Sequence, residues 1–199
     1  MEVKPQSHRE RQAQATRQAV AEAARPLFAH RGYTSTTIEA ISAAADIPVQ
    51  TIYSAFGSKR NILEEARTRW IEEAEVAELY GRAMAMEKLG DRLSAVAHWT
   101  RRQFELGHDL IAAYQEASRV DPDAAIVWRR ALDGREAALT KLLSAGRPTL
   151  KRGLTVRRAV DILITCTLPE IYRHLVLERG WTADEYERWL ARVLRNELG

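Results

Sequence analysis

The sequence predicts an all-α protein, and three observations carry that prediction. No stretch of the 199 residues alternates apolar and polar side chains in the way that a half-buried strand does. Apolar residues instead recur every three or four positions between clear stop signals, such as the loop Gly146–Gly153 with Pro148 inside it. Two short helices joined by a tight corner occupy residues 37–56. The predicted fold is therefore an N-terminal three-helix head with a helix-turn-helix, followed by a larger helical bundle.

The amino-acid composition limits the classes of protein to which this chain can belong. Hydrophobic residues make up 46% of the chain and charged residues 29%, which is typical of an ordinary folded domain. The single cysteine, Cys166, excludes an internal disulfide and favours a reducing compartment. No apolar run is long enough to span a bilayer, and the N-terminus does not open a signal peptide. We expect a soluble, cytoplasmic protein without a membrane partner.

The excess positive charge lies in the N-terminal third of the chain. Residues 1–62 carry a net charge of +3, which equals the net charge of the whole chain, so the remaining residues are neutral overall. A protein that binds a polyanion such as DNA needs positive charge where it makes contact. The excess coincides with the helix-turn-helix, although it is too small to decide the function.

The first helix of the pair has clear start and stop signals. Thr36 followed three residues later by Glu39 is a capping box, which predicts a helix start at Thr36. Asp46 tolerates a left-handed backbone and is expected to end the helix. Pro48 cannot continue that helix, but it can begin the next one.

The second helix, from about Pro48 to Phe56, separates its side chains sharply. Ile52 and Phe56 lie one turn apart and predict the buried side. The opposite side carries hydrogen-bonding groups without net charge, namely Gln50, Thr51, Tyr53 and Ser54. Gly57 is expected to close this helix, and Ser58 to cap the next one.

These residues together resemble the DNA-binding domain of the tetracycline-repressor-like (TetR) family of transcriptional regulators. The resemblance covers about residues 10–65 without a gap and rests on Gly32-Tyr33, Thr36-Thr37, Ile41, Ala45-Asp46-Ile47, Thr51-Ile52-Tyr53, Phe56 and Ser58-Lys59. Two positions depart from the family pattern: Asp46 replaces the usual corner glycine, and Pro48 replaces the usual Ser or Thr. The resemblance implies a homodimeric regulator, most often a repressor, that a small-molecule effector releases from a palindromic double-stranded DNA operator.

The resemblance also implies which residues bind DNA. The set is Thr36, Thr37, Pro48, Val49, Gln50, Thr51, Tyr53, Ser54 and Lys59. Within it, Thr37, Tyr53 and Lys59 are expected to hold phosphates. Gln50 and Thr51, with Val49 and Ser54, are expected to meet base edges, where a Gln side chain suits adenine.

The rest of the chain is predicted to bind the effector and to dimerise. We place the DNA-binding domain at residues 1–58 and the second domain at 59–199. A polar tail over residues 1–12 precedes a first helix to about His30. Further helices are predicted at 58–84, 90–106, 108–119, 122–145, 155–179 and 183–197.

The last two helices carry apolar stripes that the family resemblance assigns to a four-helix dimer interface. The predicted interface residues are Leu163, Tyr186, Leu190, Val193 and Leu194. A symmetric dimer also suits DNA targets repeated at one-turn spacing. The alternative is that these stripes simply close the core of one protomer.

Aromatic residues beyond the head suggest an effector pocket, because such groups line cavities in helical bundles. The candidates are Trp99, Arg102, Phe104, His108, Tyr114, Trp128, Cys166 and Glu170. We expect a mostly apolar, aromatic effector oriented by His108, Tyr114 or Arg102. If these aromatics are plain core, the protein is instead a ligand-independent DNA-binding or architectural regulator.

The sequence offers no pattern for catalysis or for a cofactor. It contains no paired-cysteine or HExxH metal motif, no nucleophile elbow and no phosphate-binding glycine loop. Glu170 and His174 lie one helical turn apart and could bind a metal or a ligand, but a surface pair is the simpler interpretation. An enzyme that uses the bundle would need a titratable cluster inside a cavity.

Overall fold

The computed structural model describes residues 7–146 and 150–199, and every regular element in these ranges is helical. The α-helices are α1 (His8–Ser35), α2 (Ile38–Ala45), α3 (Val49–Phe56), α4 (Lys59–Glu73), α5 (Val76–Ala85), α6 (Leu89–Val120), α7 (Pro122–Ser144), α8 (Val156–Cys166), α9 (Pro169–Tyr172) and α10 (Ala183–Leu198), and a π-helical segment, Arg173–Glu178, follows α9. The all-α prediction is confirmed. Across the same two ranges, no helix is long and apolar enough to cross a membrane.

The chain forms two compact units that do not follow chain order. The first unit contains the described residues up to Arg69 together with Asp109–Trp128, and the second contains Trp70–His108 together with Arg129–Gly199. Helix α6 runs through the boundary between them, and so does α7. The predicted domain boundary at residue 58 follows the end of the helix-turn-helix. It stays a prediction about which residues bind DNA and which bind the effector.

In the first unit, α1, α2 and α3 pack around a small apolar core. Val20, Phe28, Ile41 and Ile52 are each at most 2% exposed. A helix of eight residues such as α3 is not stable in isolation, so its docked side stabilises it. Ile52 and Phe56 are both buried, as the sequence predicts.

In the second unit, long helices bury larger side chains. Fully buried residues come from α6, α7, α8 and α10 and include Leu93, Val96, Leu139, Leu142, Leu143, Leu163, Tyr186, Leu190 and Leu194. Helix α10 opens with the predicted capping box, in which Thr182 and Glu185 satisfy each other's backbone amides. Its apolar stripe packs on α8 within this unit.

Some predicted helix boundaries are wrong. The first helix begins at His8 rather than near residue 12, because Ser7 and Glu10 form a capping box; residues 1–6 of the predicted tail lie outside the described residues. The predicted helix 58–84 is two helices, α4 and α5, separated at Glu75, where φ is 53°. The loop Gly146–Gly153 lies partly outside the described residues.

Helix α6 is interrupted at Gly107, close to the predicted break. The backbone leaves the helical conformation there, and the indole of Trp70 fills the space beside the glycine. A Cβ at residue 107 would lie 2.1 Å from Trp70 Nε1, which instead donates a hydrogen bond of 2.9 Å to the Gln103 carbonyl. Glycine is therefore required by the close approach of this ring.

The predicted helix 155–179 is divided into three pieces. Helix α8 ends at Cys166, α9 starts at Pro169, and the π-helical segment continues to Glu178. Pro169 lacks an amide hydrogen and cannot continue α8, whereas it can begin α9. The apolar periodicity continues through this break. The periodicity therefore predicts one helix where the structure has three segments.

Candidate nucleic-acid interface

The corner between α2 and α3 has the geometry that the sequence predicts. Asp46 adopts the left-handed conformation, with φ of 53° and ψ of 40°. The Ser42 hydroxyl donates to the Ile47 carbonyl at 2.6 Å, and the Ile47 amide donates to the Ser42 carbonyl at 3.2 Å. This reciprocal pair fixes the direction in which α3 leaves the corner.

The side of α3 opposite its docked face is polar and accessible. The side chains of Gln50, Thr51, Tyr53 and Ser54 are exposed, and so is Pro48 at the N-cap. Val49 is only half-buried, so the DNA contact that the family resemblance implies for it remains sterically open. The exposed groups are amide, hydroxyl and phenol, which can donate or accept hydrogen bonds without carrying charge.

Helix α2 starts one residue later than predicted. Thr37, rather than Thr36, is its N-cap, and the Thr37 hydroxyl accepts the Ala40 amide at 3.1 Å. Thr36 is fully buried, and its hydroxyl donates to the carbonyls of Gly32 and Leu27 at 2.7 and 3.1 Å. The capping box with Glu39 and the DNA contact assigned to Thr36 are therefore wrong, whereas Thr37 is exposed.

Lys59 has a role that the sequence did not suggest. Its ammonium donates to the carbonyls of Tyr33, Thr34 and Thr36 at 2.7, 3.3 and 2.8 Å, and it lies 4.4 Å from the centre of the Tyr33 ring. Burial lowers the pKa of Lys59. Since an ammonium has three hydrogens, these carbonyls use its full donor capacity. Lys59 closes the end of α1 rather than presenting a free charge to a phosphate.

Glu116 of α6 closes the same end of α1 from another direction. Its carboxylate accepts the amides of Tyr33 and Thr34 at 2.8 and 2.9 Å. These hydrogen bonds, led by those from Thr34, lower the pKa of Glu116. Gly32 has φ of 77°, and a Cβ there would lie 2.4 Å from a Glu116 oxygen, so only glycine fits.

The predicted effector residues are divided between the two units. Tyr114 and Trp128 belong to the first unit, where their rings stack at 5.4 Å and the Tyr114 hydroxyl donates to the Glu64 carboxylate. Trp99, Arg102, Phe104, His108, Cys166 and Glu170 belong to the second unit. The single pocket expected for the whole set stays a prediction.

The second-unit candidates are mostly engaged with neighbouring groups. Trp99 packs edge-on against Tyr80 at 5.9 Å, and Phe104 packs against Tyr172 at 5.4 Å. Arg102 donates to the Glu73 carbonyl at 3.2 Å and pairs with Glu75 at 3.1 Å. Cys166 is half-buried, and burial raises the pKa of its thiol. Glu170 is exposed.

Two of the surface grooves formed by the described residues lie in the second unit. One of about 210 Å³ is lined by Trp181, Glu185, Arg188, Trp189 and Arg192, and another of about 530 Å³ is lined by Asp133, Glu136, Ala137, Thr140 and Lys141. Neither groove is lined by a predicted effector residue. His174 contacts Glu178 at 2.9 Å on an exposed surface, and across residues 7–146 and 150–199 no three His, Cys, Asp or Glu side chains cluster as metal ligands.

The predicted dimer residues lie mainly inside the protomer. Leu163, Tyr186, Leu190 and Leu194 are all 0% exposed within one chain. Their assignment to a dimer interface is wrong, because each is already covered by the protomer's own helices. Val193 is half-buried and remains available for contact with a partner.

Comparisons with known proteins support the predicted helix-turn-helix head and the predicted all-α architecture. Residues 20–66 match the model of the family described as bacterial regulatory proteins, tetR family. This match spans α2 and α3 and confirms the TetR resemblance of the head. A search of curated protein sequences gave no match.

Solved structures of regulators share the fold of the chain. A transcriptional regulator of the TerR/AcrR family from Aquifex aeolicus VF5 superposes with a TM-score of 0.70 at 14% identity, covering 90% of this chain and 98% of that one. A transcriptional regulator from Saccharomonospora viridis in complex with choline gives 0.73 at 18% identity, covering 93% and 98%. FadR from Bacillus subtilis in complex with stearoyl-CoA gives 0.69 at 18% identity, covering 89% and 96%.

Two further positions were missed by sequence reasoning. Arg135 on α7 was not considered, and Tyr186 on α10 was placed at the dimer interface. A signal for Arg135 exists, because it lies four and seven residues before the buried Leu139 and Leu142 and so shares their side of α7. An arginine on an apolar helix face requires an explanation.

Proposed function

We propose that this protein is a sequence-specific DNA-binding transcriptional regulator that responds to a small-molecule effector. The observation that carries the proposal is the exposed, uncharged polar side of α3, on a head that matches the tetR family. We propose no enzymatic activity, because the match is to regulatory proteins. The regulator acts in the cytoplasm on double-stranded DNA.

The contacts with DNA divide into two kinds. Gln50 and Thr51, with Val49 and Ser54, meet base edges in the major groove, and Thr37 and Tyr53 hold phosphates. A Gln side chain can form paired hydrogen bonds with adenine. Lys59 acts indirectly, by holding the end of α1 against the helix-turn-helix.

The experiment is a comparison of operator and random DNA, after the operator has been selected from a random library. Gln50→Ala is expected to weaken operator binding by about 1–3 kcal/mol and to relax the preference at one position of each half-site. Gln18→Ala is the matched control, because the Gln18 amide contacts Glu22 on the surface of α1. If Gln50→Ala weakens operator and random DNA equally, α3 is not the reading helix.

We further propose that the regulator is a homodimer on a palindromic operator, whose half-sites repeat at about 34–36 Å. The contacting surface is the exposed side of α8 and α10, including Val193. Val193→Arg is expected to give a folded monomer that no longer binds the operator, as measured by light scattering and gel shift. Leu190→Arg is expected to unfold the protomer instead, because Leu190 is fully buried. A dimeric Val193→Arg protein contradicts this surface.

Effector binding is assigned to residues 59–199. Structural relatives in complex with choline and with stearoyl-CoA support the presence of an effector. These two molecules differ so much in charge and size that the ligand class must be inferred from this chain's own residues. A ligand releases DNA only if it prefers the arrangement that does not bind DNA.

The route to the head proposed here runs along α6. The part of α6 after His108 belongs to the unit that contains the head, and Glu116 in this part holds the end of α1. Arg25 of α1 also pairs with Asp109 at 3.2 Å. A displacement of α6 in the second unit is therefore passed along α6, across the interruption at Gly107, to these contacts with α1.

A ligand-independent regulator is the second candidate. It is favoured by the tight burial of Trp99, Phe104 and Tyr114, each of which already has an aromatic neighbour. Native mass spectrometry of the purified protein separates the two candidates. A bound small molecule whose removal changes operator affinity supports the responsive regulator, and unchanged affinity supports the second candidate.

A further inference from the structure

The first two turns of α1 form an exposed helix. Residues 8–15, which we call the α1 extension, are all exposed, and the first buried residue of α1 is Val20. A capping box nevertheless fixes the helix start: the Ser7 hydroxyl accepts the Glu10 amide at 3.2 Å, and the Glu10 carboxylate accepts the Ser7 amide at 2.7 Å. Most helical stability in proteins comes from a packed side. The extension has no such side within the described residues, and a binding partner would provide one.

Arg17 fixes where the α1 extension begins relative to α3. Its guanidinium donates to the Ala55 carbonyl at 2.7 Å and lies 4.5 Å from the centre of the Phe56 ring, so α1 contacts the last turn of α3. The same guanidinium pairs with Glu65 of α4 at 2.7 Å. At 1.5 Å per residue, α1 runs on for about 14 Å from Arg17 to His8. Because residues 8–15 are exposed, the extension leaves α3 at this last turn rather than packing along it.

The other end of α1 is held by α6. Arg25 pairs with Asp109 at 3.2 Å, and Glu116 accepts the amides of Tyr33 and Thr34 at 2.8 and 2.9 Å. All of these residues belong to the first unit, which also contains α3. The α1 extension ends about 15 Å along the helix from Arg25. It is therefore the end of α1 that lies away from α6 and beside the helix-turn-helix.

The α1 extension is basic and polar. Its residues are His8, Arg9, Glu10, Arg11, Gln12, Ala13, Gln14 and Ala15. The one acid, Glu10, is held by Ser7 in the capping box, and the amides at the helix start add the positive end of the helix dipole. Two arginines among amide side chains, without a large apolar group, suit a polyanion and offer little to an apolar protein surface.

We propose that the α1 extension binds the sugar-phosphate backbone of the operator beside the half-site that α3 reads, with Arg9 and Arg11 as its charged contacts. The N-terminal residues of a recognition helix meet base edges in the major groove, so the last turn of α3 lies nearer the backbone strands that border the groove. The extension leaves α3 at that turn. Arginine and glutamine side chains are frequent donors to phosphate. The inference rests on the proposed DNA contact of α3 and adds a sequence-independent contact to it.

The test measures how affinity depends on salt, for the selected operator and for random DNA. Arg9→Gln/Arg11→Gln in the full-length protein is expected to lower the slope of log affinity against log salt by about two units on both DNAs, because each phosphate contact contributes about one unit. Affinity at low salt is expected to fall by the same factor on both DNAs, so the preference for the operator is kept.

A control variant carries the same change in net charge. Arg129→Gln/Arg130→Gln replaces two exposed arginines of α7 and is expected to keep the wild-type slope. A slope in Arg9→Gln/Arg11→Gln that stays within about half a unit of the wild type overturns the proposal. An equal fall in slope in the control variant also overturns it, because the effect would then come from net charge alone.

Hydroxyl-radical footprinting of the operator locates the contact. The wild-type protein is expected to protect backbone positions that flank each half-site, outside the base pair whose preference depends on Gln50. Arg9→Gln/Arg11→Gln is expected to lose this flanking protection at protein concentrations that saturate the operator. Gln50→Ala is expected to keep it. Flanking protection that is unchanged in Arg9→Gln/Arg11→Gln overturns the proposal.

The same measurements separate this proposal from the proposed function. A protein that prefers its operator, but whose slope is unchanged in Arg9→Gln/Arg11→Gln, keeps the proposed function and overturns the contact of the α1 extension. Equal binding of operator and random DNA, with a slope that falls in this variant, supports the extension and counts against sequence-specific reading by α3. Absence of DNA binding by the wild-type protein overturns both.

Discussion

A half-buried cation donates to carbonyl oxygen at a helix end in each of the two units, and the two sites differ in how many hydrogen bonds the cation makes. At the end of α1, Lys59 donates to three carbonyls and lies over the Tyr33 ring. At the end of α8, Arg135 donates to the carbonyl and hydroxyl of Thr167, and within residues 7–146 and 150–199 the hydroxyl of Tyr186, in the same unit, has no hydrogen-bond partner. Cations at helix C-termini are favourable in both places.

The difference indicates different roles. The first site has little capacity for another ligand, so its function is to fix α1 against the helix-turn-helix. At the second site a single guanidinium nitrogen of Arg135 makes the contacts with Thr167, so fewer hydrogen bonds hold the end of α8. A buried polar cluster therefore has to be judged by how many of its hydrogen bonds are made, as well as by which residues form it.

The largest effect on stability is expected when the ammonium of Lys59 is removed from the first site. Lys59→Met keeps most of the side-chain volume but leaves the carbonyls of Tyr33, Thr34 and Thr36 without this donor, and we expect a loss of about 2–4 kcal/mol in the free energy of unfolding. Urea unfolding measures it, with Lys88→Met, at an exposed lysine, as the control.

The same Lys59→Met variant distinguishes a structural role of Lys59 at the end of α1 from a contact with a DNA phosphate. If Lys59 held a phosphate, the dependence of operator affinity on salt would fall by about one unit of slope. We expect the slope to be kept while stability falls. An unchanged unfolding curve with a reduced slope contradicts the structural role.

A smaller effect is expected at Glu116, and it depends on pH. Hydrogen bonds lower its folded-state pKa from the ordinary 4.5, so its contribution to stability is present above that value and is lost as the pH falls through the folded pKa. At neutral pH, Glu116→Gln is expected to cost about 1–2 kcal/mol. The difference from wild type should shrink below pH 4.5. Glu72→Gln, at an exposed site, should show no such dependence.

Local signals in the head predicted its geometry well. Asp46 takes the left-handed conformation, Gly57 ends α3 with φ of 72°, and Ser58 accepts the Asn61 amide at 3.3 Å. Each of these features depends on a few consecutive residues, so the sequence contains the whole explanation. Helical periodicity likewise predicts which side chains of α3 are exposed.

Contacts between distant residues could not be read from the sequence. Thr36 and Thr37 are equally good caps, and the choice depends on the Leu27 and Gly32 carbonyls that accept the Thr36 hydroxyl. Leu190 lies on an apolar stripe that could face a partner subunit or the protomer's own core, and the stripe is identical in either case. Periodicity shows that a helix side is buried, but not which chain covers it.

The smallest expected effect is at the second site. Tyr186→Phe removes a buried hydroxyl that has no partner, so the free energy of unfolding should change by less than about 0.5 kcal/mol. Tyr114→Phe is the matched control in the first unit, because that hydroxyl is also buried but donates to the Glu64 carboxylate. Its removal should cost about 1.5–3 kcal/mol, the range for hydrogen bonds to charged groups. Urea unfolding of both variants measures the contrast. If Tyr186→Phe lost as much stability as Tyr114→Phe, the Tyr186 hydroxyl would already be satisfied, by an ordered water for example, and the second site would be as closed as the first.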